Sequence, residues 1–265
     1  MSLNVFKFGG GATINLTALA QDAAVLGQKG WKIIIIAGGN AALDLAMQAC
    51  SKSPRILTSE RGEKSRFTDL ATLQLLKQVY GKIAREIAKI IRQKGVRATA
   101  CVGASANLIW GERHRRLRIV EKGKRKMIPG DLTGRISKIN LAAIRRKLQL
   151  NAVLVLYPPI ASQDGEINVD GDKIAAKVAS ELKAEKLIFF AEAPGILREL
   201  TDEKSYIPKI KLELADQYAV GRMKKKILAA KRACQAGVKT VIFADGRLGE
   251  QPIQKALQGQ GTFVA

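Results

Sequence analysis

The sequence predicts an α/β protein built on one doubly wound, mainly parallel sheet with helices on both faces. Three observations predict it. Short apolar runs alternate along the whole chain with segments of three- and four-residue apolar spacing. The first two runs each end directly in a glycine cluster, Gly9-Gly10-Gly11 and Ala37-Gly38-Gly39-Asn40. At 265 residues and 47% hydrophobic composition, the chain can bury a large core without disulfides or metals. Strands joined by helical crossovers pair in parallel and bury both faces, and their loops gather at the strand C-termini.

Periodicity gives the elements in order. A strand over 4–8 precedes a helix near 16–28, a strand over 32–37 and a helix near 41–51. A long amphipathic helix covers 68–94, where Leu73, Leu76, Val79, Ile83, Ile87, Ile90 and Ile91 recur at helical spacing and Gly95 stops the pattern. A strand over 98–102 follows. Mixed apolar and charged residues over 113–128, centred on Lys122-Gly123-Lys124, suit an exposed β-hairpin, and 141–150 returns to helical spacing. After a strand over 153–157, a second hairpin is expected over 160–169 with its turn at 163–165. A helix over 172–182, a strand over 186–190, a helix over 223–235 and a strand over 240–243 come next, and 262–265 reads as a closing strand. No repeat or linker interrupts the pattern, so one unit of two lobes is expected, 1–170 and 171–265.

Composition narrows the chemistry. Cys50, Cys101 and Cys234 are odd in number, far apart and set in apolar surroundings, so all three read as reduced core thiols. The single histidine, His114, lies in a charged run, which removes most His-base hydrolases and zinc sites. No apolar stretch is long enough to span a bilayer, and the N-terminus lacks a charged leader before an apolar block, so a soluble, cytosolic protein is expected. The net charge of +22 calls for a negatively charged partner. It is concentrated over 112–126, where eight Lys or Arg face two Glu. Arg113, Arg115, Arg116, Arg118, Lys122, Lys124, Arg125 and Lys126 therefore form a candidate docking surface for an acidic partner, against the alternative of a plain solvated hairpin.

Glycines at the end of a strand let backbone N–H groups approach phosphate oxygens, and Lys7 adds a point charge there. A tight turn and an edge-strand charge would explain one such loop equally well. Neither the GxxxxGK[ST] loop nor a clean GxGxxG occurs. Two glycine loops at one sheet edge are harder to set aside, since together they can line a polyphosphate site.

These loops, together with Ser65-Arg66-Phe67-Thr68-Asp69, Asn168-Val169-Asp170-Gly171-Asp172, Ala193-Pro194-Gly195 and Gly221-Arg222-Met223-Lys224-Lys225-Lys226, resemble the amino-acid kinase family. The resemblance is closest to its N-acetylglutamate kinase branch, and within that to the kinases of lysine and arginine synthesis that act on an amino-group carrier protein. It runs in consistent order from Val5 to Thr262 and implies a three-layer αβα sandwich using ATP and Mg²⁺. It further implies that Lys7 and Lys226 contact the transferring phosphoryl group and that Asp172 positions them. Gly9, Gly10, Gly38 and Gly39 would cradle phosphates, and Arg66 and Asn168 would hold the amino-acid substrate. Glu192, Gly195, Gly221 and Met223 would lie on the nucleotide side, and no residue is assigned to a metal. Bland readings stand beside these: Asp172 as a charge at a helix start, Asn168 as a turn residue, Arg66 in a surface ion pair with Glu63 or Asp69, and Lys224 and Lys225 as solvated surface.

A carboxylate is ionised at pH 7, so a carboxylate-phosphorylating enzyme needs no histidine base. The chain departs from the family pattern at Ala37 and Asn40, where His-Gly-Gly-Gly is usual, and at Ala191 and Glu192, where a small hydroxyl residue and Asp are usual. It starts at the first strand, without the preceding helix of arginine-inhibited rings, so a homodimer without arginine feedback is expected. Three functions follow for test: a kinase of carrier-linked α-aminoadipate or glutamate, a kinase of free N-acetylglutamate, or a nucleic-acid-binding protein on a kinase scaffold. The last has little support from 5% aromatic content.

Overall fold

The computed structural model describes residues 2–264 except Arg61, Glu63, Lys122, Ala219 and Val220, and of Arg222 the backbone only. The N-terminal half comprises β1 (Leu3–Phe8), α1 (Leu16–Gln28), β2 (Lys32–Ala37), α2 (Asn40–Ala49), β3 (Ile56–Thr58), β4 (Lys64–Arg66), α3 (Leu70–Gln93), β5 (Ala98–Val102), β6 (Ile109–Arg113), β7 (Leu117–Glu121), β8 (Lys124–Ile128) and β9 (Gly134–Ile139). Then come α4 (Leu141–Leu150), β10 (Val153–Tyr157), β11 (Ile160–Ser162), β12 (Gly165–Ile167), α5 (Gly171–Glu181), β13 (Lys186–Ala191), β14 (Lys209–Ile210), α6 (Gly221–Gln235), β15 (Thr240–Asp245), α7 (Pro252–Leu257) and β16 (Thr262–Val264).

Eight strands form one sheet in the order β14-β16-β15-β13-β1-β2-β10-β5, parallel except where β16 runs against β15. Alternating strand positions feed two cores. Val5, Ile34, Ile36, Leu154, Leu156, Leu187, Phe189, Val241 and Phe243 pack with α4, α5 and α6. Phe6, Phe8, Ile33, Ile35, Val155, Ile188, Phe190 and Ile242 pack with α1, α2, α3 and α7. Burial on both faces is why these strands read as unbroken apolar runs. The helices α1, α3, α4 and α5 start where short polar side chains accept first-turn amides: Asn15 from Ala18, Asp69 from Thr72, Asn140 from Ala143 and Asp170 from Asp172.

Parallel pairing brings the C-terminal ends of β13, β1 and β2 to one edge, with Phe8 in register with Phe190 and with Ala37. The expected hairpin centred on 122–124 is β7–β8, and the one over 160–169 is β11–β12. Arg113 belongs instead to β6, which pairs with β9, an element the apolar pattern misses because its strands are short and charged. The β3–β4 hairpin and α7 were likewise not anticipated. Cys50 corrects the expectation of three core thiols: it caps the C-terminus of α2 and is exposed, while Cys101 and Cys234 are partly buried. The apolar spacing of α2 ends one turn before Cys50, at Met47.

Candidate active site

Two glycine loops interlock at the shared edge. Gly38 N–H donates to the Phe8 carbonyl at 3.0 Å, and Ala41 N–H donates to the Gly10 carbonyl at 2.8 Å. A Cβ on Gly10 would lie 2.5 Å from the Asn40 nitrogen and 2.6 Å from that of Gly39, so side chains are excluded where the loops meet. The first amides of α2 thus face the first loop, at the positive end of a ten-residue helix. The Asn40 side chain turns away: its Oδ1 accepts from the Tyr80 hydroxyl at 2.6 Å. The substitution of Asn for a third glycine therefore leaves the loop's inner surface to backbone.

Lys7 lies beneath these loops and is 5% exposed. Its Nζ donates to the Phe8 carbonyl at 2.7 Å and would be 2.7 Å from a Cβ on Gly38, while its Cε would be 2.7 Å from one on Gly171. Glycine at both positions makes room for the lysine. Burial lowers the Lys7 pKa to about 8; Asp172 and Asp170 oppose the shift and Lys226 adds to it.

Asp172, in the first turn of α5, pairs with Lys226 of α6 through both oxygens, at 3.0 and 2.9 Å, with side-chain exposures of 9% and 15%. It acts on Lys7 through its charge, whereas the Lys7 ammonium is held in contact by the Phe8 carbonyl. Lys225 corrects the expectation of a surface residue: its Nζ lies 3.3 Å from Asp170 Oδ2. Asp170 also accepts the Asp172 N–H at 2.8 Å. Burial would raise the Asp170 carboxyl, but Lys225, the Asp172 amide, Lys226 and Lys7 outweigh it and hold it below the usual carboxylate range. Lys224 is exposed.

Arg66 leaves β4 to meet Asp44 and, at 3.2 Å, the Met47 sulfur, so its ion-pair partner is on α2 rather than Asp69; Glu63 lies outside the described residues. Asn168 Nδ2 is 3.4 Å from Thr68 Oγ1, which donates to the Arg66 carbonyl at 3.2 Å. The two expected substrate residues are thus joined through Thr68. Asp131, 1% exposed, secures this corner by accepting from Thr68 N–H at 2.8 Å and from the amide and hydroxyl of Thr133. In the sequence Asp44, Asp131 and Asp170 carry no assigned role and Lys225 reads as a surface residue, since an isolated polar residue on a helix, in a turn or in a charge run carries no periodic signal.

The family model described as the amino acid kinase family matches residues 2–245. The chain belongs to the amino acid kinase family. It is 38% identical over 267 residues to the [LysW]-aminoadipate kinase of Thermus thermophilus, covering 98% of this chain and 99% of that protein. It is 32% identical to a putative [LysW]-aminoadipate/[LysW]-glutamate kinase of Nitrosopumilus maritimus, covering 97% of each. Among solved structures, N-acetylglutamate synthase from Neisseria gonorrhoeae, complexed with coenzyme A and N-acetyl-glutamate, superposes with a TM-score of 0.81 at 24% identity. That likeness speaks to fold alone, and this chain spans 59% of the synthase. The protein is a kinase of the αβα type, in agreement with the resemblance drawn from its motifs.

On the expected nucleotide side of this amino acid kinase, Glu192 reaches across to the first glycine loop. It lies against Gly11 and accepts from Thr13 N–H at 3.0 Å and Thr13 Oγ1 at 2.9 Å. Gly195 packs on Thr262, whose Oγ1 accepts the Ile196 N–H at 2.8 Å. Gly221 opens α6 with φ +54°, and Met223 packs against the α5 side of the core.

The basic candidates divide. Arg113 donates to the Asp131 carbonyl at 2.9 Å and braces the corner that holds Arg66 and Asn168. Arg115 and Arg116 are exposed between β6 and β7. Register pairs Arg118 with Met127 and Val120 with Arg125 on one face of the hairpin, and Ile119 with Lys126 and Glu121 with Lys124 on the other. Lys126 is tied to Glu121 at 2.6 Å, and Lys122 lies outside the described residues. Ser59 bridges Ile119, so the basic hairpin lies alongside β3–β4, which delivers Arg66. His114 is partly buried; burial, with Lys173 and Arg135, lowers its pKa against Asp131.

Proposed function

We propose that this kinase transfers the γ-phosphoryl group of ATP to the side-chain carboxylate of α-aminoadipate or glutamate attached to an acidic amino-group carrier protein, in lysine or arginine synthesis. The observation that carries the reading is the full-length likeness to kinases named for [LysW]-linked substrates, and the basic hairpin beside Arg66 supports it. A carboxylate oxygen attacks the γ-phosphorus, the bond to the β-phosphate oxygen breaks, and the products are an acyl phosphate and ADP. The nucleophile is already ionised, so no proton is moved.

The barrier is electrostatic: an anion approaches an anion. Lys7 and Lys226 supply two ammonium groups, Asp172 fixes Lys226, and the loops with Gly9, Gly10, Gly38 and Gly39 supply backbone N–H donors. Asp170 and Asp172 are each paired with a lysine, so Mg²⁺, which would offset phosphate charge, rides mainly on nucleotide oxygens. In this reading residues 1–170 hold the carrier-linked acid through Arg66 and Asn168, and 171–265 hold the nucleotide near Glu192, Gly195, Gly221 and Met223. Arg118 and Arg125, flanking Met127, are the docking side chains of the outer hairpin face.

The reading also takes the enzyme as a cytoplasmic homodimer. A groove of about 530 Å³ along α3, lined by Val79, Ile83 and Ile90 with Lys82 and Glu86 at its side, suits a second copy because those charges one turn apart can pair reciprocally. No helix among the described residues is long and apolar enough to cross a membrane.

Steady-state turnover with carrier-linked aminoadipate and with free N-acetylglutamate tests the proposal. It expects kcat/KM to favour the carrier-linked acid by at least ~100-fold, as docking of complementary charge would supply. Equal or better use of the free acid would reject carrier dependence and leave N-acetylglutamate kinase as the function.

A further inference from the structure

We propose that Asp170 and Lys225 form a positioning pair that locks the N-terminal part of α6 onto the N-terminus of α5, aiming Lys226 at Asp172 and balancing the charge around Lys7. The proposal rests on the reading of Lys7 and Lys226 as the phosphoryl-facing amines.

Its basis is that one carboxylate holds two things at once. Asp170 Oδ1 accepts the backbone N–H of Asp172 at 2.8 Å, and Oδ2 takes Lys225 Nζ at 3.3 Å. Asp172 carries the carboxylate that Lys226 must meet, and Lys225 is the residue next to Lys226. Asp170 therefore sets both halves of the neighbouring pair, whose contacts are 2.9 and 3.0 Å. Successive helical residues point about 100° apart, so two adjacent lysines both reaching α5 fix the rotation of α6 as well as its distance. Core packing of Ile227, Ala230 and Ala233 seats α6, and the second pair adds to it at the end that carries Lys226.

Charge gives the second half of the argument. The groups facing Lys7 are Asp172 of α5, Asp170 at its N-cap and Lys226 from α6, while the loop after β2 presents Gly38 and α5 presents Gly171. Asp170 favours the charged form of Lys7, and Lys225 partly neutralises Asp170. Removing the two partners should thus move Lys7 in opposite directions.

The plain alternative is that Asp170 only caps α5. Asparagine caps a helix about as well as aspartate, so Asp170→Asn keeps the cap and deletes the charge. The experiment measures kcat, KM and the alkaline limb of the pH profile for D170N, K225M, K225R and K226M, with ATP and with both carrier-linked aminoadipate and free N-acetylglutamate as acceptors. D170N and K225M should each lower kcat roughly 10- to 100-fold, the scale of a ~1 Å misplacement, while KM stays within about threefold as expected when a transition-state contact is lost. The limb should move to lower pH in D170N and to higher pH in K225M, each by about half a unit, and K225R should restore most of the kcat lost in K225M. Wild-type kcat and limb in both D170N and K225M, a limb moving the same way in both, or no rescue by arginine would overturn the proposal. If K226M itself turned over normally, the underlying reading of the amines would be at fault instead.

Discussion

In the proposed mechanism, Lys7 is the residue that makes the chemistry most sensitive to pH. Burial brings its pKa to about 8, so a step that needs its charge fades as pH rises through that value. The fold does not weaken with it. The unfolded chain holds that proton up to about 10.5, so between the two values the unfolded state binds more protons and Lys7's contribution to stability rises with pH. A pH–rate profile falling above about 8, with melting temperature steady or rising from Lys7's share, is the expected result. Lys7→Met should reduce kcat by about 10²–10³-fold and leave the melting temperature equal or higher, since an apolar side chain of similar length replaces a buried ammonium. Asp172→Ala should do the reverse to stability, costing about 3–5 kcal/mol in denaturant unfolding, because Lys226 would then be buried without its partner. Lys7, Asp172 and Lys226 were singled out by the resemblance of the motifs around them to the amino-acid kinase family, and the structure brings the three together. Other partners were less legible: Asp44 takes Arg66 from 22 residues away, and neither residue lies in a pattern that links them.

The elements that matter most are the turns after β1 and β2. Their glycines are required by approach rather than by backbone angle, since a Cβ on Gly10 would press on the amides of α2 at 2.5–2.6 Å. Gly10→Ala should therefore force the loops apart and raise the KM for ATP more than about tenfold, the scale of 1.4 kcal/mol, with little change in the acceptor's KM; isothermal titration with an ATP analogue checks it. The buried strands and long helices could be read from the sequence because each buries a continuous face. The β3–β4 hairpin, β6, β9 and α7 could not, because their placement is set by tertiary contact: β6 runs against β9 across 20 residues of intervening chain or more, and Ser59, just after β3, bridges Ile119 of β7. That bridge, with Arg55 reaching Glu121 at 3.9 Å, keeps the basic hairpin beside the β3–β4 hairpin that carries Arg66.

At the scale of the whole molecule, a surplus of 22 positive charges is far more than one phosphoryl site needs. If it serves an acidic carrier, kcat/KM for the carrier-linked acid should fall steeply with salt while that for a free acid changes little. Arg118→Glu with Arg125→Glu, both on the face with Met127, should raise the KM for the carrier-linked acid at least ~10-fold, whereas Lys124→Glu, on the opposite face, should do less. The αβα architecture itself makes the central chemistry possible by bringing β1, β2, α5 and α6 to one edge. The most direct test of that chemistry is the rate at which acyl phosphate, trapped as a hydroxamate, forms from ATP and carrier-linked aminoadipate on wild-type enzyme and on a folded Lys7→Met, Lys226→Met double variant. The account predicts prompt formation on the wild type and a rate at least ~10³-fold lower on the variant; equal rates on the two would contradict it.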